Sequence, residues 1–131
     1  MKRAIYILGM SLLFAAPGFA ATEKTHYAHP QEVFDAMRKA FVPERSKGLR
    51  ASYQWHLSGA EGGDWFVIVN DGRCRIGKGV VANPDVTFLC SAGDWVALSN
   101  GTLSGIWAHL TGRLKVRGPH SLARKLEEMF P

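Results

Sequence analysis

The apolar side chains of residues 33–41 recur with the period of an α-helix. The apolar face is formed by Val33, Phe34, Met37 and Phe41. Pro30 suits the first turn of such a helix, whereas Pro43 and Gly48 suit its end. The pattern therefore predicts a helix over residues 30–41.

From residue 49 to residue 80 the pattern becomes that of β-strands. Apolar and polar side chains first alternate along residues 49–57, with Tyr53 and Trp55 on one side and Gln54 on the other. A continuous apolar run over residues 65–69 follows, and Asn70-Asp71-Gly72 is a strong tight-turn signal. With a further strand over residues 73–80, this part predicts a three-stranded antiparallel meander.

The C-terminal part adds a fourth strand and two helices. Alternation over residues 86–90 predicts the strand, after which Ser91 is suited to cap a helix that Gly101 ends. This first helix presents Trp95 and Leu98 on one face. Apolar side chains at helical spacing then predict a second helix over residues 103–110. They are Leu103, Ile106, Trp107 and Leu110.

A fifth strand and a last helix complete the chain. Arg113, Lys115 and Arg117 alternate with apolar residues, so the strand has one basic and one apolar face. Pro119 is suited to open the last helix, whose apolar side holds Leu122, Leu126, Met129 and Phe130. The order α-β-β-β-β-α-α-β-α predicts an α+β fold with the helices gathered on one side of the sheet.

The first 20 residues have the composition of a secretory signal peptide. Lys2 and Arg3 precede an apolar run over residues 4–16, and small residues surround a cut site after Ala20. The run is shorter than the about 20 residues of a membrane-spanning helix, so retention as an anchor is the less favoured alternative. We expect residues 21–29 to be a flexible mature N-terminus, residues 30–131 to form one domain, and the protein to be exported, to the periplasm in a bacterium and otherwise secreted.

Charge and chemistry narrow the function only slightly. The chain has 16 Lys and Arg against 11 Asp and Glu, and loss of Lys2 and Arg3 would leave 14 against 11, a net charge of +3. This mild basicity suits weak attraction to anionic lipid surfaces and is poor evidence for nucleic-acid binding. The five histidines lack metal-ligand spacing, and no nucleophile elbow or phosphate loop is present.

The C-terminal half resembles the sterol carrier protein type-2 (sterol-binding) domain family. The resemblance rests on a series of spacings over about 45 residues and extends more loosely over residues 30–131. The residues that carry it are Val86–Leu89, Asp94, Trp95, Leu98, Gly101, Ala108, Gly112, Arg113, Leu114, Lys115, Gly118, Leu122, Ala123, Lys125 and Leu126.

The resemblance implies a mixed five-stranded sheet of order 3-2-1-4-5, with helices packed on one face enclosing an apolar cavity. It also implies binding of a fatty acyl chain, sterol, phospholipid or isoprenoid quinone, without metal, cofactor or catalytic residue. Family members often have a small or polar residue at the position of Trp107 and an aromatic or Met at that of His109. A bulky Trp107 would therefore narrow or reshape the cavity.

The candidate lipid-binding residues come from three helices and the sheet. They are Trp55, Phe88, Trp95, Leu98, Leu103, Ile106, Trp107, Leu110, Leu122, Leu126 and Met129. By periodicity alone each is more typical of ordinary core packing than of ligand contact, and the resemblance favours the ligand role. The basic residues of the fifth strand, with Arg73 and Arg75, either attract anionic headgroups or membrane surfaces or protect the sheet from aggregation.

Two alternatives to a lipid carrier remain: an accessory interaction module with a filled cavity, and an enzyme of unknown chemistry. The cysteines test the topology. In a plain hairpin between strands three and four, Cys74 would face Cys90 and a disulfide would be feasible. The family's strand order separates these strands by three spacings, about 14 Å, and predicts two free thiols.

Overall fold

Every predicted helix and strand is present in the structure, a computed structural model that describes residues 26–131. The helices are α1 (Pro30–Ala40), α2 (Ala92–Asn100), α3 (Gly105–Leu110) and α4 (His120–Met129). The strands are β1 (Arg50–Ser58), β2 (Gly63–Asn70), β3 (Arg73–Lys78), β4 (Val86–Ser91) and β5 (Lys115–Arg117). The predicted signal peptide lies outside the described residues.

The five strands form one sheet in the order β3-β2-β1-β4-β5, which confirms the order implied by the family resemblance. β1, β2 and β3 pair antiparallel, as the meander prediction requires. β4 lies parallel to β1, with Trp55 beside Phe88, and β5 pairs antiparallel with β4. After β3, at one edge of the sheet, the chain therefore passes over β2 and β1 and enters β4 on the far side of β1.

Local side-chain chemistry fixes the ends of the two central helices. The Ser91 hydroxyl accepts a hydrogen bond of 3.0 Å from the backbone N–H of Asp94, and Gly101 takes the left-handed conformation, φ 78°, that ends α2. The Ser104 hydroxyl caps α3 in the same way, by accepting from Trp107. Because the cap is at Ser104, α3 begins two residues later than the predicted start and leaves Leu103 outside.

One face of the sheet carries the hydrophobic core. Tyr53 and Trp55 of β1 are fully buried there, and the strand alternation places Val67 and Phe88 on the same side. The core is covered by apolar residues of three helices, which are Val33, Phe34, Trp95, Leu126 and Met129. The predicted placement of the helices on one side is thus confirmed.

On the opposite face, a buried glutamine holds the crossover between β3 and β4. Gln54 is 0% exposed, and its amide nitrogen donates to the backbone oxygens of Trp65 at 2.9 Å and Gly79 at 3.0 Å. Its amide oxygen accepts from the backbone N–H of Val81 at 2.8 Å. The side chain therefore satisfies backbone groups that the crossover would otherwise bury without partners.

Replacing Gln54 with leucine is expected to lower the free energy of unfolding by about 3 kcal/mol, since several buried backbone groups would lose their partner. Urea unfolding followed by circular dichroism measures this change. The control is Ser58→Ala, four residues later on the same face and at the exposed end of β1. Equal small losses for the two variants would contradict the role assigned to Gln54.

The two cysteines are free, as the strand order implied by the family resemblance predicts. β3 and β4 are separated by β2 and β1, and register places Cys74 level with Ala51 but Cys90 level with Leu57. The two are thus about 14 Å apart across the sheet and about 20 Å along it. Burial raises the pKa of the Cys74 thiol to about 11 and that of Cys90, where Asp94 adds to the effect, to about 12.

Both thiols are therefore expected to react slowly with an aromatic disulfide reagent at pH 8 in the folded protein and rapidly after unfolding, since the thiolate is the nucleophile. The same raised pKa values affect folding. Because folding raises the pKa of each thiol above its unfolded value of about 9, the protonated thiols contribute to the free energy of unfolding below that pH. We expect that stability to fall as the pH rises from 9 towards the folded values. Absorbance of the released thiol measures the reaction; equal rates in the two states would contradict the burial.

Candidate functional site

The structure brings some of the candidate lipid-binding residues together and leaves others at the surface. Buried members of the set are Trp55, Phe88, Trp95, Leu126 and Met129, and half-buried members are Leu98, Leu103 and Leu122. The α3 members are the exposed ones, with Ile106 75%, Trp107 60% and Leu110 73% exposed. These three side chains therefore lie on a surface of α3 that does not cover the core.

The part of the core beneath α1 and α2 is filled by stacked aromatic rings. Phe34 stacks on Trp65 at a centroid distance of 5.2 Å and meets the edge of Trp55, also at 5.2 Å. Trp95 lies 5.9 Å from Phe34 and 5.4 Å from Trp55, and Trp55 stacks on Phe88 at 4.8 Å. We call these five rings the aromatic block; their contacts leave no room for a hydrocarbon chain between them.

The part of the core near α3 and the start of α4 is more exposed to solvent. Its apolar residues are only partly buried against the core, namely Leu98, Leu114, Val116, Leu122 and Ala123. α3 contributes one fully buried side chain, Ala108, whose backbone oxygen accepts from Leu114 at 3.0 Å. This partly exposed region between α3, the start of α4, β4 and β5 is named the C-terminal apolar region.

α4 is held most firmly at its C-terminal end. The backbone oxygen of Met129 accepts from Val42 at 2.9 Å, and that of Glu128 accepts from the Arg45 guanidinium at 3.0 Å. Nearer its start, the Tyr53 hydroxyl donates to the backbone oxygen of Leu122 at 2.8 Å. Movement of α4 about its C-terminal end would therefore break the Tyr53 bond first and widen the C-terminal apolar region.

Two buried indole groups lack hydrogen-bond partners. The Nε1 atoms of Trp55 and Trp95 have no acceptor among the described residues, although both atoms are shielded from solvent. An unpaired buried donor costs about 1–3 kcal/mol, so two in neighbouring side chains are an unusual feature of a core. Trp55 contacts both Phe34 of α1 and Phe88 of β4, and thus lies between these two elements within the aromatic block.

The opposite face of the sheet carries an open groove of about 560 Å³. His56, Leu89 and Lys115 lie side by side across β1, β4 and β5, and Arg117 also lines the groove. The His56 ring is hydrogen-bonded to Asp64 at 2.6 Å. Charged and hydroxyl groups around an open groove suit an anion better than a hydrocarbon chain.

Other site chemistry is sparse in the part of the chain that the structure describes. Within residues 26–131, no group of three or more His, Cys, Asp or Glu side chains is placed to hold a metal ion. None of the helices in this range combines the length and the hydrophobicity of a membrane span. The remaining histidine contacts are an exposed bond from His29 to Glu61, 2.8 Å, and an edge-to-face pair of His109 and His120, 5.8 Å between centroids.

The fold and the sequence both match one family. A family model described as the SCP-2 sterol transfer family covers residues 33–131. The chain belongs to the SCP-2 sterol transfer family. This assignment confirms the resemblance found in the sequence and, in general terms, a lipid-binding or lipid-transfer role for the SCP-2 domain.

Three similar proteins illustrate the contexts in which this domain occurs. The chain is 33% identical over 109 residues to hydroxysteroid dehydrogenase-like protein 2 of Xenopus laevis, covering 82% of this chain and 26% of that relative. It thus spans about a quarter of the length of the relatives it matches in this group. The solution structure of palmitated SCP2L2 from Aedes aegypti has a TM-score of 0.64 at 25% identity, covering 79% and 95% of the two chains.

The third of these proteins, a second solved structure, shows the fold alone. A stereoselective inverting sec-alkylsulfatase from Pseudomonas sp. matches with a TM-score of 0.63 at 19% identity, over 79% of this chain and 16% of that chain. In that protein, as in the dehydrogenase-like relative, the matched portion is a minor part of a longer chain.

Several residues that carry the family resemblance have structural roles in this SCP-2 domain. Arg113 binds Asp94 with two hydrogen bonds, of 2.6 and 3.2 Å, which join the turn before β5 to the start of α2 and raise the pKa of the guanidinium. Gly118 has φ 110°, and a Cβ there would collide with the backbone oxygen of Asp85. Both interactions fix β5 and the loop before α4 beside β4.

The sequence prediction of the site omitted three residues of the C-terminal apolar region. Val116 lies directly opposite Phe88 in the sheet, and Leu114 and Ala123 pack against the same core. Alternation along β5 signals the positions of Leu114 and Val116. Nothing in the pattern singles out Ala123, because an alanine on a helix is compatible with either face.

Proposed function

We propose that this SCP-2 domain binds a lipid or other hydrophobic metabolite without catalysing a reaction, and that the hydrocarbon tail lies in the C-terminal apolar region. The observation that carries the proposal is the uneven burial of the core. The aromatic block occupies the α1 side, whereas apolar residues near the start of α4 and on β5, such as Leu122 and Val116, are only partly buried. A tail placed there would complete the burial of Leu122 and Val116.

The energetics favour such a complex if the space is opened at little cost. Each methylene that leaves water contributes about 0.8 kcal/mol, so ten methylenes contribute about 8 kcal/mol before the cost of ordering the chain. Opening requires displacement of α4 near Leu122, where one hydrogen bond from Tyr53 would break. That bond is worth about 1 kcal/mol net, much less than the gain from the tail.

The unpaired indole groups indicate what kind of ligand fits. An oxygen acceptor on the ligand would satisfy the Nε1 groups of Trp55 or Trp95. Among the described residues the buried polar side chains are Ser46 and Gln54, neither of them cationic. A neutral oxygen, as in an ester, a hydroxyl or a quinone carbonyl, therefore suits the interior, and a carboxylate would be expected to stay at the surface.

Similarity to a lipid-loaded relative supports the acyl-chain class of ligand. The Aedes aegypti protein is described as palmitated and is 25% identical to this chain. Sterols, phospholipids and isoprenoid quinones share the apolar body that the proposal requires, and they belong in the same test.

The alternative is an accessory interaction module whose interior is filled by its own side chains. The aromatic block favours this alternative, because five large rings already fill the core beneath α1 and α2. The two functions differ in whether the purified chain takes up a lipid.

Native mass spectrometry of the full chain tests the proposal. The protein is mixed separately with palmitate, methyl palmitate, cholesterol, a phosphatidylcholine and a short-chain ubiquinone. We expect one ligand per chain, with methyl palmitate bound at least about fivefold more tightly than palmitate because of its neutral oxygen. Failure of all five to bind would reject the carrier and leave the interaction module.

We further propose that the protein acts outside the cytoplasm, since residues 1–20 have the composition of a signal peptide. Expression in a bacterium followed by N-terminal sequencing of the periplasmic fraction tests this. We expect a mature protein that begins at Ala21. An uncleaved protein in the membrane fraction would instead support the anchor alternative.

A further inference from the structure

The outer side of α3 is an exposed apolar surface. Ile106, Trp107 and Leu110, named here the α3 patch, are 75%, 60% and 73% exposed. Ala108 of the same helix is fully buried, so helical geometry turns Ile106 and Leu110 away from the core. Grouped large apolar side chains at a surface mark a binding face for another molecule or a membrane.

The chain around this patch holds all of the protein's net charge. Residues 95–126 contain five Lys and Arg and no Asp or Glu, whereas the rest of the chain has eleven of each, for a formal net charge of +5. The five are Arg113, Lys115, Arg117, Arg124 and Lys125. An uninterrupted basic segment around an apolar helix complements a surface that is both anionic and apolar.

Part of this charge is free to meet such a surface. Arg113 is bound to Asp94, but Lys115 and Arg117 are exposed and form no ion pair within residues 26–131. They line the open groove together with Gly112, which is only two residues beyond Leu110. The groove therefore begins at the loop that joins α3 to β5, the strand at the edge of the sheet.

We propose that the α3 patch docks onto an anionic lipid bilayer. Ile106 and Leu110 enter the boundary between headgroups and acyl chains, Trp107 takes the interfacial position that tryptophan favours, and nearby Lys and Arg attract the headgroups. This inference goes beyond ligand binding and rests on exposed side chains, so it stands or falls separately from the C-terminal apolar region.

Trp107 is itself a local reporter of docking. The other three tryptophans, Trp55, Trp65 and Trp95, are at most 8% exposed. The full chain is mixed with phosphatidylcholine vesicles, with and without phosphatidylserine, in which a fraction of the lipid carries brominated acyl chains. Bromine quenches a tryptophan only when the ring lies within the bilayer.

We expect quenching and a blue shift of the Trp107 emission with phosphatidylserine vesicles, and loss of both signals in Trp107→Phe. The double variant Ile106→Ser/Leu110→Ser should bind the vesicles at least about tenfold more weakly. Val80→Ser is the matched control, because Val80 is 66% exposed but lies outside the patch, and it should bind normally. Lys115→Glu/Arg117→Glu should weaken binding by about tenfold or more, and added salt should do the same.

Three results would overturn the docking proposal. Vesicle binding without quenching of Trp107 would show attachment through another segment, such as residues 1–25. Protection of Trp107 from iodide in the absence of vesicles, with self-association in sedimentation, would show that a second copy covers the patch. Equal binding by the double variant and Val80→Ser would exclude an α3 role. If the chain shows the quenching but binds none of the five lipids of the mass-spectrometry test, the docking proposal stands and the carrier proposal is rejected.

Discussion

Replacing Phe34 with alanine is expected to lower the free energy of unfolding by about 4 kcal/mol, the largest single effect on stability that the structure predicts. Phe34 is fully buried and joins α1 to the sheet through Trp65 and Trp55, each at a centroid distance of 5.2 Å, and to α2 through Trp95 at 5.9 Å. Its removal would leave a cavity lined by rigid rings that cannot collapse into it. Urea unfolding of the purified variant measures the loss.

The matched control is Phe66→Ala. Phe66 belongs to β2 and is half-buried on the other face of the sheet, beneath the Arg75 guanidinium at 5.6 Å. The same change of chemistry should cost about 1–2 kcal/mol there, because less of the ring is withdrawn from water. Similar losses at both positions would contradict the claim that the aromatic block is the rigid part of the core.

The second large effect is on ligand affinity. Ala123→Trp is expected to reduce lipid binding by at least about a hundredfold, because the indole would occupy the space proposed for the tail. Ala123 is half-buried on α4 and packs against the core beside Leu122 and Leu126. Fluorescence of a displaced polyene fatty acid measures the affinity, and circular dichroism verifies the fold.

Arg124→Trp provides the control for this substitution. It introduces the same indole one residue later on α4, at an exposed position, and should leave lipid affinity within about twofold of the original. A folded Ala123→Trp variant that binds lipid as well as Arg124→Trp does would place the tail elsewhere.

Elements with a local cause could be predicted from the sequence. Ser91 and Gly101 mark the two ends of α2 because each satisfies backbone groups within one turn of itself. The turn at residues 70–72 fixes the pairing of β2 with β3 in the same local way. The strand order, by contrast, came from the family resemblance, since the residues alone also allowed a hairpin that would have paired the cysteines.

Features that depend on what covers a surface could not be predicted. The apolar period of α3 shows that Ile106 and Leu110 share a face, but it does not show that this face lies outside the core. Gln54 alternates with Tyr53 and Trp55 as an exposed residue would, yet the crossover near Gly79 and Val81 buries it. In both cases the decisive neighbour is distant in sequence and enters only through the fold.

A ligand titration followed by backbone amide NMR of the isotope-labelled full chain locates the bound hydrocarbon tail. With methyl palmitate added, we expect the largest shift changes in α3, α4 and the facing residues of β4 and β5, with little change in α1. Changes centred on α1 and β2, or no saturable changes with any of the five lipids, would contradict a tail bound in the C-terminal apolar region.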